Sequence, residues 1–439
     1  MANIQKLTYP YFTDGTTQLN AANLNPIIAK LNEVIDQVNS GVSPTPTQTV
    51  ATPTISISGS TATISCSTSG ATIYYTTNGN TPTTSSTQYS SPITLSDACT
   101  IKAIAVKSGM NNSSVASQSY SPPSSPYITF ADPAVKAILV ADSQINTNGD
   151  SEISYEEAAA ATLLTGSIFV GNTQITSFNE LEYFTSITYI ATEKFKGCTA
   201  LASIRFPNSV TDIRNSAFEG CVELGSINLP TNLTNLGSGA FKGCTKVNLS
   251  SIPNTITEIA ASTFESCTTL TLATLPTGLT AVRGSAFKGC TNVELSSLPN
   301  TITALGQYTF YNCTKVTFSS LPSGITSVPT MCFYNCSLIT ISVIPSGVTT
   351  IGEGAFRNCT SLTTMEIPSS VTAINTKAFN GCTGLTKVKM PATPPTIVAD
   401  SFPSTTVFYV PDATAQAAYA AASVWSDIPS SRIKLWSEW

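Results

Sequence analysis

One stretch of this sequence carries the residue types and the spacing of an ion site. From Asn146 to Glu157, oxygen-bearing residues stand at loop positions one, three, five, seven, nine and twelve, with Ile153 at position eight. A hard cation wants six or seven oxygens, so Asn146, Asn148, Asp150, Glu152, Ser154 and Glu157 form a candidate calcium set. In that set Glu157 closes the sphere with both carboxylate oxygens, Glu152 lends its backbone carbonyl, and Ser154 acts directly or through water. Asn146 replaces the usual first Asp, and Ser151 replaces the Gly that eases the tight turn. Fewer carboxylates imply weak, structural calcium; the competing reading is a helix-turn-helix corner of the same shape without an ion.

Other chemistry is scarce. Histidine is absent, which removes the commonest general base and the usual transition-metal ligand. Glycoside hydrolysis would need paired carboxylates in a cleft, and the few acids are accounted for by this loop and a surface ladder described below. The sequence reads as non-enzymatic, with no catalytic residues. Net charge is −5 and no Lys/Arg-rich run occurs, so the electrostatic footprint of nucleic-acid binding is missing. Charged residues make up only 10% against a usual value of about 25%, so the surface must be largely hydroxylated rather than ionic.

What could position such residues is a repeat. From Phe195 a Phe recurs at 218, 241, 264, 287, 310, 333, 356, 379 and 402, every interval being 23 residues. In nine coils a Cys follows three residues later, from Cys198 to Cys382, and a Pro recurs from Pro207 to Pro391. One small apolar thiol per coil suits a packed ladder better than metal or redox chemistry. Cys332 takes the slot held elsewhere by Ala217, Ala240, Ala286, Ala355 and Ala378. Only stacking of neighbouring coils can bury these apolar positions, which predicts a solenoid over residues 166–410.

Beside the Phe column runs a second one: Lys196, Glu219, Lys242, Glu265, Lys288, Tyr311, Tyr334, Arg357 and Asn380. Its first five signs alternate, so stacked coils would pair them at little energetic gain, ~0.2–1 kcal/mol per exposed pair. The switch to Tyr311 and Tyr334, with Tyr308 nearby, makes these three the candidate ligand-binding residues. Exposed aromatics on a rigid surface offer flat faces to sugar rings or to a protein partner.

The Ile-Pro-x-x-Val-Thr-x-Ile-x-x-x-Ala-Phe-x-x-Cys core resembles the leucine-rich repeat of BspA-like bacterial surface antigens, over roughly residues 180 to 410. The 146–157 segment resembles an EF-hand or dockerin-type loop, and residues 127–165 are expected to form the corresponding helix-loop-helix. The Val407–Asp412 stretch and an Ala-rich helix after it also fit the BspA resemblance. Residues 411–439 then form a cap, with Trp425, Trp436 and Trp439 closing the open apolar end.

Ahead of the repeat, residues 54–120 alternate in short β-branched runs punctuated by Asn78-Gly79 and Thr81-Pro82. This predicts a small β-sandwich, and the Ala71–Thr83 run with Tyr89 and Ile101-Lys102-Ala103-Ile104 resembles the chitobiase/hexosaminidase C-terminal-type Ig-like module. Cys66 and Cys99 sit on candidate strands there and are expected as free, buried thiols, a disulfide between them being the other reading. Pro-rich linkers at 42–53 and 121–126 bound it. Residues 1–41 read as an anchor, in which Leu24, Ile27, Leu31, Val34 and Val38 form an a/d seam. A homotrimer through residues 22–39 is the preferred reading, and an amphipathic helix packed on its own domain is the other.

The fold class expected is thus mainly β: a right-handed leucine-rich-repeat solenoid preceded by an Ig-like sandwich and an oligomerising helix. No leader-like N-terminus and no apolar run long enough to span a membrane are seen. Together with the Thr8–Thr17 stretch, this resembles a bacteriophage head or tail fibre. In that reading the anchor meets other virion proteins and the solenoid binds a host-surface glycan or protein. The alternative is a bacterial cell-surface BspA-like adhesin, and a glycan-directed accessory protein is a third reading.

Overall fold

The computed structural model describes residues 28–36, 48–122, 125–164, 166, 169–398 and 400–439, in two compact units, Met1–Pro122 and Pro123–Trp439. In the first unit a helix, α1, covers residues 28–36. Leu31 and Val34 are each 45% exposed on it. Leu24, Ile27 and Val38 of the expected seam lie outside the described residues.

The same unit holds a β-sandwich. Strands β1 (Thr54–Ser58), β2 (Thr61–Ser65) and β5 (Ile93–Thr94) form one antiparallel sheet. The other runs in the order β4 (Thr87–Gln88), β3 (Thr72–Thr76), β6 (Cys99–Val106), β7 (Ala116–Tyr120), also antiparallel. Alternation aims Ala62, Ile64, Ile101 and Ala103 inward with Leu95, while polar neighbours face water. Gly79 sits at φ 77°, the left-handed conformation that Gly adopts without strain. Cys66 and Cys99 are both free thiols.

The second unit is one continuous core from Ile128 to Ile433. It opens with two helices, α2 (Pro133–Val140) and α3 (Tyr155–Ala160), which cover the apolar N-terminal end with Val135, Leu139 and Ala158. Asp132 caps α2 by accepting from the Ala134 and Val135 amides, and Pro133 supplies the fixed φ that suits a helix start. The second oxygen of Asp132 accepts from the Thr176 amide (2.5 Å), the Thr176 hydroxyl (2.8 Å) and the Ser177 amide (3.3 Å). One buried carboxylate therefore ties the leading helix to the first solenoid strand, Ser177–Phe178.

Beyond it the coils stack with parallel strands in a 23-residue register, as in Asp212 against Asn235 and Ala281 against Ala304. The Phe rings from 195 to 402 form one pile, buried through Phe379 and half-buried at Phe402, with centroids 4.9 to 5.9 Å apart and neighbouring planes within 19°. Such pairs add ~0.5–1.5 kcal/mol each beyond the area they bury. The nine cysteines of the column, from Cys198 to Cys382, are fully buried, and their thiols do more than fill space. Cys221 donates to the Phe195 carbonyl, and the same 26-residue contact recurs through Cys382 to Phe356 at 2.9 to 3.1 Å. Thr at 188, 211, 234, 257, 280, 303, 326, 349 and 372 makes a second ladder. Its hydroxyls donate to the carbonyl of the preceding rung, as from Thr211, Thr234, Thr280 and Thr349. A chain this poor in charge thus satisfies its surface with hydroxyls.

At the C-terminal end, Val407–Val410 extends the sheet and Ile433–Leu435 pairs against it. Helix α4 (Ala413–Ala421) folds over, burying Tyr419 and Trp425. The Tyr419 hydroxyl reaches the Pro391 carbonyl at 3.1 Å, and the Trp425 ring nitrogen reaches Pro395 at 2.7 Å. The expectation that three tryptophans fill this end needs correction. Trp436 and Trp439 stay 41% and 44% exposed, lying against Tyr409 and the Lys387 and Lys389 ammonium groups, because Tyr419 and Trp425 already occupy the interior.

Candidate functional site

The column following each core Phe points outward, so its chemistry is set by what the next coil presents about one strand spacing away. Lys196 meets Glu219 at 3.3 Å, and Lys242 lies 3.9 Å from Glu219 and 3.8 Å from Glu265. Lys288 closes on Glu265 at 2.9 Å. Burial pushes the Glu265 carboxyl up, but bonds from Lys288 and Ser262 outweigh it and hold the group below its usual range. These are the pairs that alternating signs predict.

After Lys288 the acids stop and aromatic rings take over. Tyr311 and Tyr334 stack with centroids 4.5 Å apart and planes 8° apart, and Tyr308 lies 6.0 Å from Tyr311 at 50°. Coil-to-coil bonds hold the register: the Gly289 amide donates to the Tyr311 carbonyl at 2.8 Å and the Asn312 amide to the Tyr334 carbonyl at 2.9 Å. The structure therefore brings all three tyrosines together, each half-buried. It differs from the expected flat sugar platform in one respect. The inner ring faces are spent on each other, so the patch offers ring edges and three phenol hydroxyls, none bonded to another described residue.

Tyr308 has φ 59° and Met331 φ 49°, at a position where positive φ recurs along the repeat, as at Glu193, Ser216, Gly239, Ser262, Ser285, Gly354 and Lys377, so this conformation belongs to the coil and not to the patch.

The 146–157 loop is arranged differently from a cation cage. The Asn146 amide nitrogen donates to the Val140 carbonyl at 2.9 Å and the Asp150 carbonyl at 2.7 Å, and its oxygen accepts from the Gly149 amide at 3.1 Å. With two carbonyls on one side and an N–H on the other, that orientation is fixed. Glu157 accepts from the Thr147 and Asn148 amides, the Thr147 hydroxyl, and the Ser154 amide and hydroxyl. Burial alone would raise its carboxyl; bonds from Ser154, Asn148 and Thr147 outweigh that and lower it. Asp150 accepts from the Glu152 amide and the Asn148 side chain, and the Glu152 side chain pairs with Lys136 at 2.6 Å. The oxygens and position-one side chain that a calcium ion would need are committed to closing the loop, so the residues as arranged do not fit the ion.

Comparison with known proteins places this geometry in context. Residues 169–294 and 280–407 match the BspA type leucine-rich repeat region, with six copies of it, and together they span more than half of the 439 residues. The chain belongs to the BspA-type leucine-rich-repeat family. Its stacked coils and Phe-x-x-Cys columns are the family's repeat, and residues 51–117 separately match the chitobiase/β-hexosaminidase C-terminal domain. No curated protein matches the chain.

Several solved structures resemble this BspA-type chain. A leucine-rich cell surface protein from Faecalibacterium prausnitzii is 22% identical, with 57% of this chain and 83% of that one covered and a TM-score of 0.35. A leucine-rich repeat protein from Bacteroides ovatus is 21% identical over 66% and 91%, with a TM-score of 0.30. The pneumococcal vaccine antigen PcpA is 16% identical over 57% and 65%, with a TM-score of 0.33.

Proposed function

We propose that this protein is a non-enzymatic, surface-displayed adhesin of bacterial BspA type, which holds a host-surface glycan or protein against the solenoid at Tyr308, Tyr311 and Tyr334. The observation that carries the proposal is the switch in one outward column from paired ions to stacked aromatics. A rigid scaffold spends little backbone ordering entropy when such a patch binds, and aromatic side chains near the centre of a contact supply much of its energy. The repeat family supports this reading better than the bacteriophage-fibre reading, whose distinguishing stretch, residues 8–17, lies outside the described residues.

The Ig-like unit acts in this proposal as a spacer. Leu31 and Val34, exposed on α1, support self-association through residues 22–39 as a trimer. Light scattering of the full chain at three times the monomer mass supports that part, and a monomer mass removes it. Location is tested by immunogold electron microscopy of the producing cells. Gold along the outer envelope is the expected result, whereas gold on virus particles moves the same binding surface to a virion.

A further inference from the structure

We infer that the tyrosine patch takes an acidic glycan, with the guanidinium of Arg357 receiving its carboxylate; this rests on the binding role proposed for that patch. Arg357 is the next rung of the column after Tyr334, and its guanidinium carbon lies 5.6 Å from the Tyr334 ring centre. The other four arginines are engaged. Arg205, Arg214 and Arg283 pair with Glu182, Asp212 and Glu258, and Arg432 donates to the Thr406 and Pro403 carbonyls. Arg357 has no acceptor among the described residues, and its Nε is buried without a hydrogen-bond partner. Glu353, four residues earlier, forms no ion pair with it. A guanidinium left with open donors beside the Tyr334 ring of the stacked pair can donate to a ligand seated there, and its planar fork matches a carboxylate in bidentate fashion.

A second change coincides with the first. In most coils the residue after the outward column is Gly, as at 197, 220, 243, 289 and 381, all with positive φ. In the three successive coils of Tyr311, Tyr334 and Arg357 it is Asn312, Asn335 and Asn358, at φ 60°, 59° and 62°. Asn tolerates this conformation less easily than Gly does, so its use at these coils adds carboxamides where the fold itself needs none. The Asn335 side chain donates to that of Asn312 at 3.1 Å, forming a short amide ladder beside the aromatic one. Amides, phenols and a guanidinium together recognise a polyhydroxylated ligand bearing an anion. A wholly apolar partner would leave all of them unpaired at a cost.

The test uses the full chain on an array of uronate-, sialate- and sulfate-bearing oligosaccharides, each printed beside its neutral parent. The wild type is expected to bind carboxylate-bearing members roughly tenfold better than their parents, the size of one charge-assisted pair. R357Q is expected to lose that preference, and R357K to keep part of it without the bidentate geometry. Preference for sulfate over carboxylate relocates the anion to a sulfate ester and overturns the carboxylate assignment. Binding abolished by Y311A/Y334A but indifferent to charge and to R357Q overturns this inference while leaving the adhesin reading intact. No binding to any glycan, with capture by an acidic protein instead, overturns the glycan assignment.

Discussion

The ring of Tyr311 lies face to face with that of Tyr334, 4.5 Å away, at the two rungs where neighbouring coils would otherwise carry an ion pair. Replacing charge by a stacked pair changes what the surface can bind without changing how it is built, because the coil-to-coil backbone bonds continue through both residues. Scaffold and site are therefore separable, and they should fail separately.

The scaffold rests on the buried Phe pile. Phe287 is fully buried, with Phe264 and Phe310 each 5.5 Å away. Phe287→Ala should cost about 3–5 kcal/mol through lost transfer energy and the cavity left behind. Lys288→Ala, on the adjacent outward position, should cost about 1 kcal/mol or less. Urea unfolding of both variants checks the contrast, and similar losses would contradict the assignment of the two columns.

Thiol chemistry should split the twelve cysteines. Burial pushes the thiols of Cys267, Cys290, Cys313, Cys336 and Cys359 far above the ordinary range, and thiolate is the reactive form. The ten repeat cysteines should stay unlabelled by a chromogenic disulfide reagent in the native protein, while the half-buried Cys66 and Cys99 react. All twelve should titrate in denaturant. Rapid native labelling of repeat cysteines would mean the coils open far more readily than their packing implies. Because each column thiol also donates to a carbonyl, Cys290→Ala should be more destabilising than Cys290→Ser.

Acid should loosen the N-terminal end of the solenoid. Burial works to raise the Asp132 carboxyl, but hydrogen bonds from Thr176, Ala134 and Ser177 outweigh it and hold the group low. A depressed folded pKa contributes stability that is present above the unfolded value of about 4 and is lost as pH falls through the folded one. Glu157, Glu219, Glu258 and Glu265 shift the same way, whereas burial raises Glu182. The melting temperature should therefore drop steeply below about pH 4. Asp132→Asn should lower stability by roughly 1–3 kcal/mol near neutrality and flatten the acid limb. An unchanged acid limb in that variant would rule out Asp132 as a contributor.

Calcium should leave the wild-type protein unaffected. Its loop is closed by the Asn146 amide and the Glu157 carboxylate. Calorimetry with millimolar calcium should give no binding heat, and the melting temperature should not move. Asn146→Asp combined with Ser151→Gly returns a carboxylate and an easier turn, and should create calcium-dependent stabilisation. Binding heat in the wild type would mean that Glu157 leaves its hydrogen bonds for the ion, as the ligand spacing alone suggested.

Much of this was legible beforehand, for physical reasons. A strict 23-residue period can only be buried by stacking, so the Phe pile, the inward cysteines and the alternating Lys–Glu ladder followed from the string of residues. Period-two runs marked the sandwich strands in the same way. Spacing shows where a side chain stands but not what its atoms bond to. The Asn146 nitrogen turns to two carbonyls, Trp436 and Trp439 remain outside because Tyr419 and Trp425 fill the cap, and the tyrosine faces are consumed by each other. Arg357 passed as one more rung of the column. The change from Gly289 to Asn312, Asn335 and Asn358 was the available signal that the site extends to it.

The central claim is that the tyrosine patch is where this adhesin binds. The most direct measurement is adhesion of the fluorescent full chain to host-cell surface glycans and proteins, comparing wild type with Y311A/Y334A. Loss of about 2 kcal/mol, or roughly thirtyfold in affinity, with the melting temperature little changed, is the predicted result. Undiminished adhesion by a folded Y311A/Y334A variant would contradict it.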